Sequence, residues 1–182
     1  MKRVVVITVG MTHCGKTTFA KNLERQLPDS VVIDRDNQAE FINSHYQALL
    51  PKQGANTIKN VLTRAIVDYA INETSLHVIQ CNANRSRKGR SDLLGRFHQK
   101  GFTSVLVHFK IPDHILRERI AASQRSTSII RTRSNFAEVL DMQLKDSDAS
   151  VPMPSEAHHL FTIQDSAEVE SIIQEIVKIV QG

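Results

Sequence analysis

The sequence predicts an α/β fold in which helices cover both faces of one parallel β-sheet. Short apolar runs rich in β-branched residues recur along the chain, and longer segments with helical periodicity lie between them. The runs are almost continuously apolar rather than alternating, as expected of strands whose two faces are both buried. A glycine-rich loop between the first run and the first helical segment, Gly10–Thr18, supports the same architecture.

Strands and helices account for most of the chain. The predicted strands are Val4–Val9, Val31–Asp34, Leu76–Cys81, Ser104–Phe109 and His159–Ile163. The predicted helices are Thr17–Leu27, Asn37–Leu50, Asn56–Asn72, Arg87–Lys100, Asp113–Gln124, Asn135–Lys145 and Glu168–Val180. No internal repeat or change in composition marks a second unit, so we expect a single domain over residues 1–182.

The composition is that of an ordinary globular protein, with 41% hydrophobic and 23% charged residues and a net charge of +4. This mild positive charge suits polyphosphate ligands but is too small to indicate nucleic acid by itself. No apolar run reaches membrane-spanning length and a strand begins at once, so we expect a cytoplasmic protein without membrane contact. Cys14 and Cys81 lack the spacing of a zinc site and are interpreted as unrelated buried thiols.

The loop Gly10–Thr18 reads GMTHCGKTT and contains the Gly-x-x-x-x-Gly-Lys-Thr pattern of a phosphate-binding P-loop. Gly10 and Gly15 are expected to adopt backbone angles that a side chain disfavours, so that the loop N–H groups point at phosphate oxygens. We predict that Lys16 contacts the β- and γ-phosphates of ATP and that the Thr17 hydroxyl binds Mg²⁺. The predicted nucleotide-binding residues are Gly10, Met11, Thr12, His13, Cys14, Gly15, Lys16, Thr17 and Thr18.

The segment after the second predicted strand carries candidate acids, because ligands of such sheets bind at the carboxyl ends of the strands. Asp36 is predicted to contact the acceptor and to act as the general base that takes the proton of an attacking hydroxyl. Either Asp34 or Asp36 is a candidate for reaching the metal through water. The alternative for Asp36 is a structural role as N-cap of a helix that begins at Asn37.

The segment after the third predicted strand lacks an acid. Gln80 and Cys81 stand where many P-loop proteins carry an acidic residue for Mg²⁺, and neither is a good ligand for a hard cation. Asn82, Asn84 and Arg85 are predicted to bind the substrate, with turn formation as the alternative for the two asparagines.

A basic run begins the next predicted helix and comprises Arg85, Arg87, Lys88 and Arg90. It is either a solvated helix start or a site for an anionic partner, since cations at a helix N-terminus oppose the helix dipole.

Further arginines follow the fourth predicted strand, within a predicted mobile lid of about residues 117–134. Arg119 and Arg125 are predicted to be catalytic, because guanidinium groups neutralise the charge that develops on a transferring phosphoryl group. Arg117, Arg131 and Arg133 belong to the same segment, and the alternative for Arg117 and Arg119 is a simply exposed position among mixed charges.

Together these segments resemble the P-loop kinases that include the 5′-hydroxyl kinase domain of bacteriophage polynucleotide kinase and the zeta-toxin kinases. GMTHCGKTTFAKNL is similar to the family's opening, IDRDNQ to the start of its second helix, CNANRSRKGR to the stretch after its third strand, and LRERIAASQR to its lid helix. The resemblance implies five parallel strands in the order 2-3-1-4-5, a general base at Asp36 and a phosphate-contacting arginine at Arg125. Cys81 departs from the family's frequent aspartate, and Ala39 from an arginine near the substrate phosphate of the polynucleotide kinase.

The leading hypothesis is an ATP-dependent kinase that transfers the γ-phosphate of MgATP to a hydroxyl acceptor. The acceptor stays open between a nucleotide, the 5′-hydroxyl end of a nucleic acid and a small metabolite; an aromatic content of 5% favours an acceptor without stacked bases. The alternative is a nucleotide-binding regulatory module with little transfer activity, as the missing acid after the third strand indicates. A GTPase is disfavoured, because its switch-like motif Asp92–Gly95 lies within a predicted helix and no Asn-Lys-x-Asp motif is present.

Overall fold

A five-stranded parallel sheet organises the fold. Its strands are β1 (Val4–Val9), β2 (Ser30–Asp34), β3 (His77–Cys81), β4 (Thr103–Phe109) and β5 (His159–Ile163). They lie in the order β2-β3-β1-β4-β5, and every neighbouring pair is parallel. This order confirms the one implied by the resemblance. The structure is a computed structural model and describes residues 2–130, 133–146 and 149–182.

The helices flank the sheet in the predicted sequence of elements. They are α1 (Lys16–Gln26), α2 (Arg35–His45), α3 (Ile58–Glu73), α4 (Arg87–His98), α5 (Asp113–Ala121), α6 (Phe136–Leu144) and α7 (Val169–Gln181). Two of them end three or more residues earlier than predicted. The helix predicted to reach Leu50 ends at His45, because Tyr46 leaves helical geometry (φ −132°, ψ 39°), and the one predicted to reach Gln124 ends at Ala121.

The three central strands, β1, β3 and β4, are buried on both faces because different helices pack on each side, whereas the edge strands β2 and β5 are mostly half-buried. Along β1, Val4 and Val6 belong to one core layer, and Val5 and Ile7 belong to the other. This arrangement explains the continuously apolar strands of the sequence. The first layer includes Phe19, Leu23, Ile173 and Ile176 from α1 and α7, and the second includes Val67, Ala70, Leu94 and Phe97 from α3 and α4.

The direction of α3 follows from a contact at the amino edge of the sheet. Arg3, immediately before β1, donates hydrogen bonds to the carbonyl oxygens of Ala70 (2.9 Å) and Ile71 (3.0 Å) near the end of α3. The last turns of α3 therefore lie at the amino edge, and its first turns lie at the carboxyl edge. The start of α3 consequently shares an edge with the loop that follows β1.

No helix within the described residues is long and apolar enough to cross a membrane.

Candidate nucleotide-binding and phosphoryl-transfer site

The loop between β1 and α1 has the backbone geometry of an anion-binding turn. His13 (φ 58°) and Gly15 (φ 103°) both adopt left-handed conformations. Helix α1 begins at Lys16, and neither a side-chain cap nor an acidic residue in the first turn satisfies its leading N–H groups. These N–H groups and the positive end of the helix dipole are therefore available to phosphate oxygens.

A glycine is required at position 10 because a side chain would not fit there, not because of unusual backbone angles. This corrects the prediction that Gly10 adopts angles that a side chain disfavours. The glycines with positive φ in the described chain are Gly15, Gly54 and Gly101. A Cβ atom at Gly10 would instead lie 2.7 Å from Cys14 Sγ. The N–H of Gly10 also donates to the carbonyl oxygen of Ala83 at 3.0 Å, which ties the P-loop to the segment after β3.

Lys16 lies against its own loop. Its Nζ donates to the carbonyl oxygen of Met11 and lies 3.3 Å from Cys14 Sγ. Thr18 follows in the first turn of α1. The ammonium group is thus already placed beside the backbone that would hold the phosphates.

A glutamine that the sequence analysis did not single out also contacts the P-loop. Gln143 Oε1, on α6, accepts a hydrogen bond from the Thr12 N–H at 2.8 Å. Since 131 residues separate these partners, no local pattern in the sequence could identify the contact.

Thr17 and Asp34 supply oxygen atoms suited to Mg²⁺. The Thr17 hydroxyl donates to Asp34 Oδ2 at 3.2 Å, and the Asp34 side chain is buried at the end of β2. Asp34 lies opposite Cys81 in the pairing of β2 with β3. Burial, reinforced by the Asp34 charge, raises the pKa of the Cys81 thiol to about 12, so this thiol stays protonated at neutral pH. A carboxylate from the neighbouring strand therefore stands beside the position where the sequence lacks an acid.

Asp34, not Asp36, caps α2. Asp34 Oδ1 accepts a hydrogen bond from the Asp36 N–H at 3.0 Å, and the helix begins at Arg35. This corrects the alternative in which Asp36 caps a helix beginning at Asn37. The Asp36 carboxylate instead forms an ion pair with Arg125, with 2.6 Å between Oδ2 and Nη2.

The ion pair between Asp36 and Arg125 lies beside the P-loop. The guanidinium carbon of Arg125 is 5.1 Å from the centre of the Phe136 ring, which in turn contacts the His13 ring at 4.8 Å between centroids. Burial lowers the pKa of His13, and the positive charges of Arg125 and Lys16 lower it further. The structure thus brings the predicted base and the predicted lid arginine to the side of the P-loop that carries His13.

Arg119 contacts the P-loop from another element. Its Nη1 donates to the carbonyl oxygen of His13 at 3.4 Å, and its Nη2 donates to Ser166 Oγ at 3.0 Å. Arg119 therefore joins the P-loop to the turn that follows β5. Arg117 forms an exposed ion pair with α6 at 2.7 Å instead, and Arg131 lies outside the described residues.

The predicted substrate residues after β3 make contacts within the protein. Asn82 Oδ1 accepts a hydrogen bond from the Arg35 N–H at 3.2 Å. Asn84 has a positive φ of 44° and donates to a β1 carbonyl at 2.9 Å, which is a turn-forming role. Arg85 donates to the Gln143 carbonyl oxygen. Binding of a substrate by these three residues stays a prediction.

Arg90 is buried, which corrects both interpretations of the basic run at this position. Its side chain is 0% exposed and forms a two-point ion pair with Glu156, at 2.7 Å (Nε to Oε2) and 2.9 Å (Nη2 to Oε1). The hydrogen bond from Arg90 lowers the pKa of Glu156. Arg87 and Lys88 of the same run are exposed.

Solved structures with the same fold include nucleotide-bound proteins. Kti12 from Chaetomium thermophilum in complex with ADP-AlF3 matches with a TM-score of 0.61 at 19% identity, over 94% of this chain and 96% of that chain. APS kinase CysC from Mycobacterium tuberculosis in complex with AMPPNP and APS matches with a TM-score of 0.61 at 15% identity, over 100% and 99% of the two chains. A putative kinase from Chloroflexus aurantiacus J-10-fl matches with a TM-score of 0.67 at 17% identity, over 99% and 97%. None of the curated proteins compared matches the chain.

The family comparison covers most of the chain, including the P-loop, both candidate acids and the arginine segment. The model of the family AAA_33, described as an AAA domain, matches residues 5–147. The chain therefore belongs to the AAA_33 family, and its fold is that of the P-loop kinases.

Proposed function

We propose that this protein is an ATP-dependent kinase that transfers the γ-phosphate of MgATP to a hydroxyl acceptor. The ion pair between Asp36 and Arg125, set beside the P-loop, is the observation that carries the proposal. A carboxylate that can accept a proton and a guanidinium that can neutralise phosphoryl charge are the two groups that the P-loop alone does not supply. The kinases among the structural neighbours support the same reaction type.

The P-loop residues bind and orient the triphosphate. Backbone N–H groups at the start of α1 hold phosphate oxygens, and Lys16 places its charge on the β- and γ-phosphates. Thr17 and Asp34 are the residues that would hold Mg²⁺, either directly or through water. The ion, when bound, neutralises charge on the phosphates and helps to align them.

Asp36 and Arg125 act on the acceptor and the transferring group. The acceptor hydroxyl oxygen forms a bond to the γ-phosphorus while the bond to the β,γ-bridging oxygen breaks and ADP leaves. Asp36 accepts the hydroxyl proton. Arg125 exchanges its ion pair with Asp36 for the phosphoryl oxygens, which frees the carboxylate for the acceptor.

A nucleotide-binding regulatory module is the second candidate, favoured by one observation. The residue that ends β3 is a protonated thiol rather than a carboxylate. Asp34 argues against this candidate, because it brings a buried carboxylate to the Thr17 hydroxyl from the adjacent strand.

A transfer assay with radiolabelled ATP tests the proposal. Purified protein is offered nucleosides, sugars, hydroxylated acids and an oligonucleotide with a 5′-hydroxyl end. Asp36→Asn is expected to lower transfer by about 10²–10⁴-fold, the usual contribution of a general base. Asp92→Asn on the exposed surface of α4 is the matched control and is expected to keep the parent rate. Equal transfer by Asp36→Asn and the parent would remove Asp36 from the mechanism.

Salt dependence separates a nucleic acid acceptor from a small one. If the oligonucleotide is the substrate, its apparent affinity should fall steeply between 50 and 200 mM salt, because each phosphate contact releases counterions on binding. Tight MgATP binding without transfer to any acceptor of the panel would favour the regulatory module.

A further inference from the structure

Three buried amide side chains at the carboxyl edge of the sheet each keep one polar atom without a hydrogen-bond partner. These atoms are Asn56 Nδ2, Gln80 Oε1 and Asn82 Nδ2, and none has a partner within the described residues. The three residues are 4%, 3% and 8% exposed. An unpaired buried polar atom costs about 1–3 kcal/mol, so several of them at one edge indicate a group that completes their hydrogen bonds.

Each of these amides lies where the carboxyl edge of the sheet meets the start of α2 or α3. Val78 of β3 packs in the core layer that contains α3, and Gln80, two residues further on, projects from the same face. Asn56 directly precedes α3, whose first turns lie at this edge. Asn82 follows β3 and holds the Arg35 N–H at the start of α2.

Two cations border the same place. Lys59, in the first turn of α3, is half-buried, and its Nζ has no hydrogen-bond acceptor in the part of the chain that the structure describes. The Arg35 guanidinium likewise has no anionic partner among those residues. Helices α2 and α3 pack against each other, so the helix starts that carry Arg35 and Lys59 lie at the same edge of the sheet. Burial lowers the pKa of Lys59, the Asp36 charge raises it and the Arg35 charge lowers it. Asp36, the nearby acid, is engaged by Arg125 instead.

We propose that Lys59 and Arg35 bind the anionic group of a small hydroxylated acid, whose hydroxyl groups bind Asn56, Gln80 and Asn82. The proposal rests on the proposed function, because this molecule is the acceptor of the γ-phosphate. One hydroxyl forms the new bond to phosphorus and gives its proton to Asp36, and ADP departs with the bridging oxygen. The anionic group is a carboxylate or a phosphate monoester, since both accept hydrogen bonds from ammonium and guanidinium groups.

The hydrogen-bonding capacities of the free atoms match such a molecule. The Asn56 and Asn82 amide nitrogen atoms donate, and the Gln80 oxygen atom accepts, so a hydroxyl group can satisfy either kind. The three amides are shielded from water, and the largely exposed connection of residues 46–55 leads directly into Asn56. A pocket that uses these buried atoms would take a small molecule rather than a polynucleotide, which needs an open groove with stacking platforms.

Paired acceptors and a lysine variant test the proposal kinetically. The probes are gluconate, glucose 6-phosphate and neutral glucose, with the oligonucleotide as a separate arm. We expect transfer to an anionic probe to exceed transfer to glucose, and Lys59→Met to lower kcat/KM for that probe by about 10–100-fold, mainly through KM. Lys59→Arg should recover most of this loss. Lys52→Met, at an exposed lysine of the same connection, is the matched control and should resemble the parent.

Side-chain amide NMR provides a readout that does not require turnover. With the protein saturated by MgADP, an anionic probe should shift the NH₂ resonances of Asn56 and Asn82 in the parent but not in Lys59→Met. Chemical-shift changes without phosphoryl transfer to any probe would support the binding site and contradict the proposed kinase function. Transfer to glucose alone or to the oligonucleotide alone would contradict the anion site but leave the kinase activity established. NH₂ resonances that no probe shifts would also contradict the site.

Discussion

Replacement of Arg90 by methionine tests how the loop after β3 is held. Arg90 donates to both carboxylate oxygens of Glu156, to Ser150 Oγ at 3.2 Å and to the Ser150 carbonyl oxygen at 3.1 Å. It also donates to the carbonyl oxygens of Asn84 (3.1 Å) and Arg85 (2.8 Å). Methionine has a similar length but removes every one of these donors. The substitution therefore leaves an almost fully buried carboxylate without its cation.

We expect Arg90→Met to lower the free energy of unfolding by about 3–5 kcal/mol, the usual cost of removing one partner of a buried ion pair. This is a large fraction of the roughly 5–15 kcal/mol that stabilises a domain. The double variant Arg90→Met/Glu156→Leu should lose less than the sum of its single variants, because it leaves no isolated charge behind.

Urea unfolding followed by circular dichroism measures these values, with Arg87→Met, an exposed arginine of the same helix, as control. The pH dependence provides a second measurement. Because the folded pKa of Glu156 is lowered, its contribution to stability is complete above the unfolded pKa of about 4.3 and is lost as the pH falls through the lower folded value. Arg90→Met should therefore flatten the acid side of the stability curve. A loss below about 1 kcal/mol, or single-variant losses that simply add, would refute a buried ion pair at this position.

Three further predictions concern the P-loop and its surroundings. Gly10→Ala should lower stability by about 1–3 kcal/mol and weaken the thermal shift caused by MgATP, because its Cβ would meet Cys14 Sγ; an undiminished shift would contradict the close approach. Arg125→Ala should change the free energy of unfolding by less than about 1 kcal/mol, since its ion pair is partly exposed, yet lower transfer by about 10²–10³-fold in the radiolabel assay. Parent-like transfer would exclude Arg125 from the site. Cys81, with its pKa raised to about 12, should react with iodoacetamide at pH 8 only after unfolding, as mass spectrometry of the native and urea-treated protein would show.

The sequence predicts the sheet well because the signals for its strands are local. The first, second and fourth strands are apolar runs rich in β-branched residues, and the P-loop pattern fixes the first strand and the first helix relative to each other. The helix boundaries are predicted less well, because neighbouring residues can give equally good capping signals. Asp34 and Asp36 are both good N-cap residues, and only the observed end of β2 shows that Asp34 takes the cap.

The site is predicted less completely because its contacts join distant segments. The local sequence around a basic residue in a polar run does not show whether its side chain is solvated or buried. Nothing local therefore distinguishes the buried Arg90 from the exposed Arg87. Lys59 belongs to an ordinary helix start, and only the direction of α3 brings it to the carboxyl edge. Asp36 and Arg125 were predicted individually, whereas their direct ion pair depends on the path of the chain after α5.

The Gln143 carboxamide holds a backbone N–H that the P-loop would otherwise offer to a phosphate oxygen. While Gln143 accepts the Thr12 N–H, a triphosphate that needs this donor must first displace the carboxamide. The measured dissociation constant then equals the intrinsic one divided by the fraction of molecules in which the donor is free. The apparent affinity for a triphosphate would then depend on a side chain that takes no part in bond making.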